Sequence, residues 1–520
     1  MTPPAPLMRR SRNGCFDCRR AKVKCDEIRP SCGTCARRRH VCQGYATRSS
    51  AAAAAAAIAT TARTACSLSL IPRGAVSPAD TSNIETYFKR HPFELLLGEE
   101  FVNEMNANVL LVLQHDPVPM ADALSAIGYA YNLASDSDSP RSLMLVLNRR
   151  ARILANLRTL RPSSCYFEQA LFLLLVLCAM ELVTLAQPGH EATIPTILRN
   201  VGSLIGHHLS TGGEISFVGR YLLRALARQD LVVSLVQMRR PCIPTYAWLD
   251  MTESHKADRL LGYTVTLMPL LEELCTLAEE VRGQVSRRPS LEYTASENAS
   301  LPVDATTPDF DAWLNASPSP PKPSDFHNRA DSLRHRFSTW RPIINDALPF
   351  RSSRKFRAQA ASYRAGALLY LHRLQNPPRP SSRPSFDPFS RPTYFEHVAA
   401  VPLPFEADAT PAPISDDMSP CDAEALSLAH DIMLHASGPP PAETKLLLWP
   451  VFLAACEVCS ADDRSAVGDL FDSIATHRGT VTVERTRRFV EQRVWRARDT
   501  GSEWSWMYLT QRYPGECLPI

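Results

Sequence analysis

Six of the chain's fifteen cysteines stand between residues 15 and 42: Cys15, Cys18, Cys25, Cys32, Cys35 and Cys42. Their spacing is C-x2-C-x6-C-x6-C-x2-C-x6-C. It reads as two copies of one eleven-residue unit, CFDCRRAKVKC (15–25) and CGTCARRRHVC (32–42), with cysteines at identical offsets and basic residues after the second cysteine of each. Thiolates are the favoured donors for structural zinc, which takes four of them tetrahedrally. Each copy offers only three. Two Zn²⁺ ions therefore need eight ligand contacts from six sulfurs, which works if two thiolates each bridge both metals. The symmetric choice is the first cysteine of each copy: one ion takes Cys15, Cys18, Cys25 and Cys32, the other Cys32, Cys35, Cys42 and Cys15. His40 is not needed as a ligand. A module of this size buries too little apolar surface to fold unaided, so its folding free energy is expected to come from the metal.

The charge around the cysteines has a direction. Residues 1–48 hold twelve Lys or Arg against three acids, a surplus of nine, while the whole chain carries only +4, which leaves the other residues at −5. Six thiolates with two zinc ions contribute −2, so cations dominate the surface of this segment. A basic head on a mildly acidic body points to a polyanion as the partner of the head. The start of the chain has no apolar stretch of the secretory kind, and the cysteines are expected in a reducing compartment, where clustering means metal rather than disulfides.

The cysteine spacing, the basic run Arg19-Arg20-Ala21-Lys22-Val23-Lys24 and Pro30, two residues before the fourth cysteine, resemble the fungal zinc binuclear-cluster family of transcription regulators over about residues 12–45. The resemblance implies a pair of short helices around the metals, the first laid end-on into the DNA major groove over a CGG-type triplet. In that family the lysine four residues after the second cysteine contacts the guanines; here it is Lys22, a cation able to reach G O6 and N7. Arg19, Arg20 and Lys24, with Arg37, Arg38 and Arg39 of the second copy, are expected to hold phosphates. What such a protein implies further is a nuclear transcription factor of RNA polymerase II promoters, controlling a metabolic or biosynthetic gene set. Its partners would be double-stranded DNA and coactivators or other transcription machinery.

The rest of the chain must position this head. Residues 1–11 read as a disordered basic tail, 12–46 as the zinc cluster and 47–83 as a linker containing seven consecutive alanines. No sustained heptad repeat follows the cluster, so the protein is expected either to bind as a monomer or to form a homodimer through its large C-terminal part. Residues 84–284 and 326–515 carry helical periodicity without alternating strands, which predicts a large all-α regulatory domain. Within it, residues 215–239 and 254–284 are expected as helices, and 142–160 as a helix burying Leu143, Leu147, Ala151, Leu154 and Leu157. The run 170–180 reads as a buried core helix too short to span a bilayer. Residues 225–241, 446–464 and 489–499 look like the helical regulatory domain that accompanies the cluster in fungal regulators. Proline-rich segments 285–325 and 376–420 read as disordered interruptions; the first contains Asp309-Phe310-Asp311-Ala312-Trp313-Leu314, a candidate activation segment. Cys456 and Cys459, at i and i+3, read as core packing on a helix.

An enzyme is the competing class, and the sequence offers none of its signatures: no Walker loop, no GxGxxG after a strand, no HExxH, no GxSxG. A zinc-carrying protein would not need nine surplus positive charges beside its metal. The sequence is therefore read as a sequence-specific, zinc-dependent DNA-binding regulator.

Overall fold

The computed structural model describes residues 15–21, 23–28, 31–38, 40, 42, 76–134, 140–160, 166–184, 192–249, 256–286, 323–344, 348–378, 419–438, 446–478 and 480–520. The proposed disordered tail, most of the linker, the activation segment at 309–314 and most of the two proline-rich segments lie outside them. The chain divides into two compact units, Met1–Cys66 and Ser67–Ile520. Among the described residues there are helices and no strand, only an isolated antiparallel bridge between Asp258 and Gly262.

The first unit holds two five-residue helices, α1 (Phe16–Arg20) and α2 (Gly33–Arg37). Helices this short are not stable alone, so their surroundings must hold them.

The second unit is a helical bundle. It begins at α3 (Pro78–Leu95), inside the stretch read as linker, because Ser77 supplies an N-cap: its hydroxyl accepts the Asp80 N–H, and proline follows at the first helical position. There follow α4 (Val102–His115), α5 (Pro117–Ala134), α6 (Pro140–Thr159), α7 (Tyr166–Thr184), α8 (Ile194–Ser210), α9 (Phe217–Gln237), α10 (Thr245–Trp248), α11 (Met268–Ser286), α12 (Pro323–Thr339), α13 (Phe350–Gln375), α14 (Pro420–Ser437), α15 (Leu448–Glu457), α16 (Ala461–His477), α17 (Thr482–Phe489), α18 (Arg496–Asp499) and α19 (Trp506–Arg512). A π-turn, Val490–Trp495, joins α17 to α18.

Helices α7, α9 and α15 are the axis of the core. Helix α7 is apolar on all sides and buried along nearly its whole length. It extends well beyond 170–180 and is the one described helix long and apolar enough to cross a membrane, but 83% of that window is buried in protein, as befits a core helix. All ten residues of α15 are buried. The chain after α19 is core as well: Cys517, Leu518 and Ile520 are buried, past the expected boundary at 515.

Three expectations are corrected. First, the middle of the stripe on α6 does not face inward: Leu147 and Leu154 are each 41% exposed and Ala151 is exposed, while Val146 and Ile153 are buried and only Leu157 of the described stripe residues packs on the core. The inner side also carries Arg149, 2.8 Å from Asp80, and Arg150, 3.2 Å from Glu181, a carboxylate of α7 with no exposure. Leaving two leucines partly exposed forfeits roughly 2 kcal/mol, whereas stranding a buried carboxylate costs about 3–5 kcal/mol; the ion pairs decide the rotation. Second, residues 256–264 are not helical: Asp258 folds them into a tight loop, its Oδ1 accepting the N–H groups of Leu260 and Leu261, with Gly262 at φ +54. Third, Cys456 and Cys459 do not share a helix. Cys456 is in the core, but α15 ends at Glu457 and Cys459 is exposed.

Candidate zinc centre and nucleic-acid interface

The two cysteine copies fold alike. Residues seventeen apart play the same part: the N–H of Val23 donates to the Cys18 carbonyl at 3.0 Å and that of His40 to the Cys35 carbonyl at 3.0 Å, and Ala21 to Asp17 is repeated as Arg38 to Thr34. Cys15 and Cys32 immediately precede α1 and α2. Each places its sulfur where an N-cap side chain belongs: Cys15 Sγ accepts the Cys18 N–H at 3.4 Å and Cys32 Sγ the Cys35 N–H at 3.2 Å. An orphan N–H at a helix start is thereby satisfied, and the partial positive charge there favours a thiolate. Cys25 Sγ accepts the N–H groups of Cys15 and Glu27, each at 3.4 Å.

The sulfurs converge as the ligand count requires. Cys15, Cys18, Cys25 and Cys32 form one set of four and Cys15, Cys32, Cys35 and Cys42 another, each with its sulfurs within 4.8 Å of one another. The shared pair is Cys15 and Cys32, whose sulfurs are 3.6 Å apart; Cys15 to Cys35 and Cys18 to Cys32 are also 3.6 Å. Tetrahedral zinc with Zn–S near 2.3 Å would set its sulfurs about 3.8 Å apart, so both sets fit the ion. Packing also pushes two of the thiols up: Cys18 far upward by burial and by its bonds to the other sulfurs, Cys35 to about 12 by its bond with Cys32 and by burial. Ionising all six requires cations between them, and when bound the two zinc ions supply that charge while binding releases the thiol protons.

One brace was not legible in the cysteine spacing. Asp26, directly after the third cysteine, breaks the match between the copies. Its Oδ1 accepts the N–H of Gly33 at 3.1 Å and of Ile28 at 3.4 Å, and its Oδ2 the Thr34 hydroxyl at 3.4 Å. Asp26 thus ties the connection between the copies to the start of α2. A Cβ on Gly33 would lie 2.7 Å from Asp26 Oδ2, so a side chain there would displace the carboxylate from this position. Glu27 accordingly turns at φ +60. Asp26 stands seven residues before Gly33 in the chain, so no local sequence signal marks the brace.

Of the expected DNA-contacting residues, Arg20, Lys24, Arg37 and Arg38 are exposed. Arg20 pairs with Asp17 at 2.7 Å with its side chain 74% exposed, and Arg37 with Asp26 at 3.8 Å. Both are solvent-side pairs that phosphate can displace at small cost. Arg19 lies on α1. Lys22, Arg39 and Pro30 lie outside the described residues. His40 is exposed and belongs to neither sulfur set.

A zinc-thiolate cluster ringed by cations, followed by an all-helical unit, defines a metal-organised DNA-binding regulator. The fungal Zn(2)-Cys(6) binuclear cluster domain matches residues 13–52, and the fungal specific transcription factor domain matches residues 75–515. The chain belongs to this family of fungal transcription factors, which bind DNA and are not enzymes, and its cluster domain binds two zinc ions. Curated relatives are similar over short stretches of about 40 residues. The transcriptional regulatory protein moc3 of Schizosaccharomyces pombe is 45% identical over 42 residues, 8% of each chain. The aspercryptin biosynthesis cluster-specific transcription regulator atnN of Emericella nidulans is 51% identical over 43 residues, 8% of this chain and 7% of that one. White-opaque regulator 2 of Candida albicans is 46% identical over 39 residues, 8% and 9%. The chain thus covers less than a tenth of the length of these relatives. No solved structure matches it.

Proposed function

We propose that this protein acts in the nucleus as a zinc-dependent transcription factor of RNA polymerase II promoters, reading CGG-type triplets through the major groove. Lys22 contacts the guanines; Arg19, Arg20, Lys24, Arg37, Arg38 and Arg39 hold phosphates and set position rather than sequence. The observation that carries this reading is the pair of four-sulfur sets sharing Cys15 and Cys32, which anchors α1 and α2 and leaves Arg20 and Arg37 in solvent. Coactivators are its further partners, and a second copy of the chain pairs with it through the helical unit when two triplets are read. Control of a biosynthetic gene set is supported by the similarity, over 43 residues, to a regulator whose name assigns it to a biosynthesis cluster.

The test is competition between a CGG-containing duplex and a scrambled one of equal length. Wild type prefers the CGG duplex, and Lys22→Ala keeps both zinc ions while losing about 1–3 kcal/mol of that preference. An unchanged preference in Lys22→Ala would remove Lys22 from the reading head.

A further inference from the structure

In the helical unit, the turn Glu99–Phe101, the start of α9 and the loop 256–265 enclose a cavity of about 260 Å³. Four cations line it, Arg220, Arg224, Lys256 and Arg259, against two carboxylates, Glu104 and Asp258. Asp258 is fully engaged: Oδ1 serves the loop backbone, and Oδ2 receives Arg224 at 3.0 Å. Arg259 is 5% exposed, yet its partners are neutral; it donates to the Tyr221 carbonyl at 2.7 Å and lies over the Tyr221 ring at 3.3 Å. Arg220 is exposed and makes no ion pair among the described residues. Two buried polar atoms of the wall, Arg224 Nε and the Tyr221 hydroxyl, find no hydrogen-bond partner.

Cations outnumber carboxylates by two in a concave, partly apolar site, where low-dielectric walls focus the field. Buried polar atoms ordinarily have partners, and those that lack one call for an explanation. Phe217, 52% exposed, and Phe101 add apolar walls. The volume lies just below the roughly 300–1,000 Å³ of drug-sized ligand pockets, which suits a compact organic molecule. We propose that this cavity binds a small dianion, a metabolite carrying two negative charges as a dicarboxylate or a phosphomonoester, and that Arg220 and Arg259 recognise it. The site lies wholly in the helical unit, so it stands or falls independently of the DNA reading.

Hydrogen exchange resolved by peptide, on the zinc-loaded full chain without DNA, tests this directly. Malonate and inorganic phosphate are the probes, each titrated at constant ionic strength. The expected result is saturable protection of 217–224 and 256–265 by at least one probe, the stronger of the two showing whether the charges sit on one group or two. Arg220→Ala should weaken that protection about tenfold, the loss of one hydrogen bond to a charged group. Arg158→Ala, an exposed arginine of α6 outside the cavity, should leave it unchanged. Absence of saturable protection in these segments overturns the proposal, as does protection that survives Arg220→Ala unaltered.

Discussion

The two units solve the same problem with opposite means. In the zinc unit the buried cluster is made of sulfur: Cys15, Cys18, Cys25, Cys32 and Cys35, with Val23 and Cys42 packed against them. In the helical unit the centre is aliphatic and aromatic, with α15 buried along its whole length and Trp449, Phe452 and Phe489 at its middle. Apolar burial contributes roughly 1.5–3 kcal/mol per large side chain, and Val23 alone cannot offset the chain entropy of its unit. One unit is therefore organised by a ligand and the other by its own side chains. Agents that remove the ligand should separate them.

The largest expected effect is that of zinc itself. Chelation should unfold the zinc unit, since binding supplies on the order of 10 kcal/mol in modules of this kind, while the thermal unfolding of the helical unit stays where it was. Cys15→Ala should do the same by mutation, because Cys15 belongs to both four-sulfur sets. Metal analysis and calorimetry check both; a folded Cys15→Ala chain holding two zinc ions would break the bridging scheme.

The reciprocal perturbation strikes the helical unit. Arg373 of α13 is buried, and although burial opposes its charge, Glu457 and Asp422 hold its pKa above the ordinary value. Glu457 takes two of its N–H groups, at 3.0 and 2.6 Å, and Asp422 a third at 2.8 Å. Glu457→Ala leaves the buried guanidinium with one carboxylate, Asp422, and takes the acceptor from its Nε and one Nη; it should cost about 3–5 kcal/mol. Denaturant unfolding should register the loss while zinc content remains two per chain.

A smaller effect sharpens the comparison through pH. Asp80 joins three helices of the helical unit: it caps α3 with Ser77, accepts Ser125 of α5 at 2.7 Å and pairs with Arg149 of α6 at 2.8 Å. Burial opposes its charge, but hydrogen bonds from Arg149, Ser125 and Ser77 prevail and hold its carboxyl well below the ordinary 3.8. A depressed folded-state pKa means stability that is present above the unfolded value and lost as pH falls through the folded one. Asp80→Asn should therefore destabilise the helical unit at neutral pH by about 2 kcal/mol, and the gap to wild type should narrow below about pH 4. A gap that is constant from pH 7 to pH 3 would assign the effect to shape rather than charge.

The two units also differed in how much of them could be read in advance. Spacing and ligand count were enough to pair Cys15 with Cys32, because a tetrahedral metal admits few arrangements of six sulfurs. The role of Asp26 has no such signature, since it depends on contacts with Gly33 and Thr34 across the connection and on a turn at positive φ. The all-helical class of the second unit was legible from its periodicity. The rotation of α6 was not, because it depends on where Glu181 and Asp80 stand, two carboxylates far away in sequence. Hydrophobic periodicity finds a helix reliably. It chooses the inward face only when no buried charge competes for it. Likewise the i, i+3 spacing of Cys456 and Cys459 suggests one helix, but α15 stops at Glu457 and Ser460 caps the next helix, its hydroxyl accepting the Asp463 N–H.

The smallest effect comes from a salt bridge of the opposite kind to that of Arg373. Arg20 and Asp17 form an ion pair at 2.7 Å on α1, with the arginine side chain 74% exposed. Solvent-side pairs of this kind are worth about 0–1 kcal/mol to folding, so Arg20→Ala should leave zinc content and folding unchanged. Its cost should appear on DNA instead. Losing one phosphate contact lowers the salt slope of binding by roughly 1 and weakens CGG and scrambled duplexes alike. Asp17→Ala should act in the reverse sense, freeing Arg20 and tightening both duplexes without changing their ratio. If Arg20→Ala instead altered the ratio between duplexes, Arg20 would be reading bases, and α1 would sit deeper in the groove than a phosphate clamp requires.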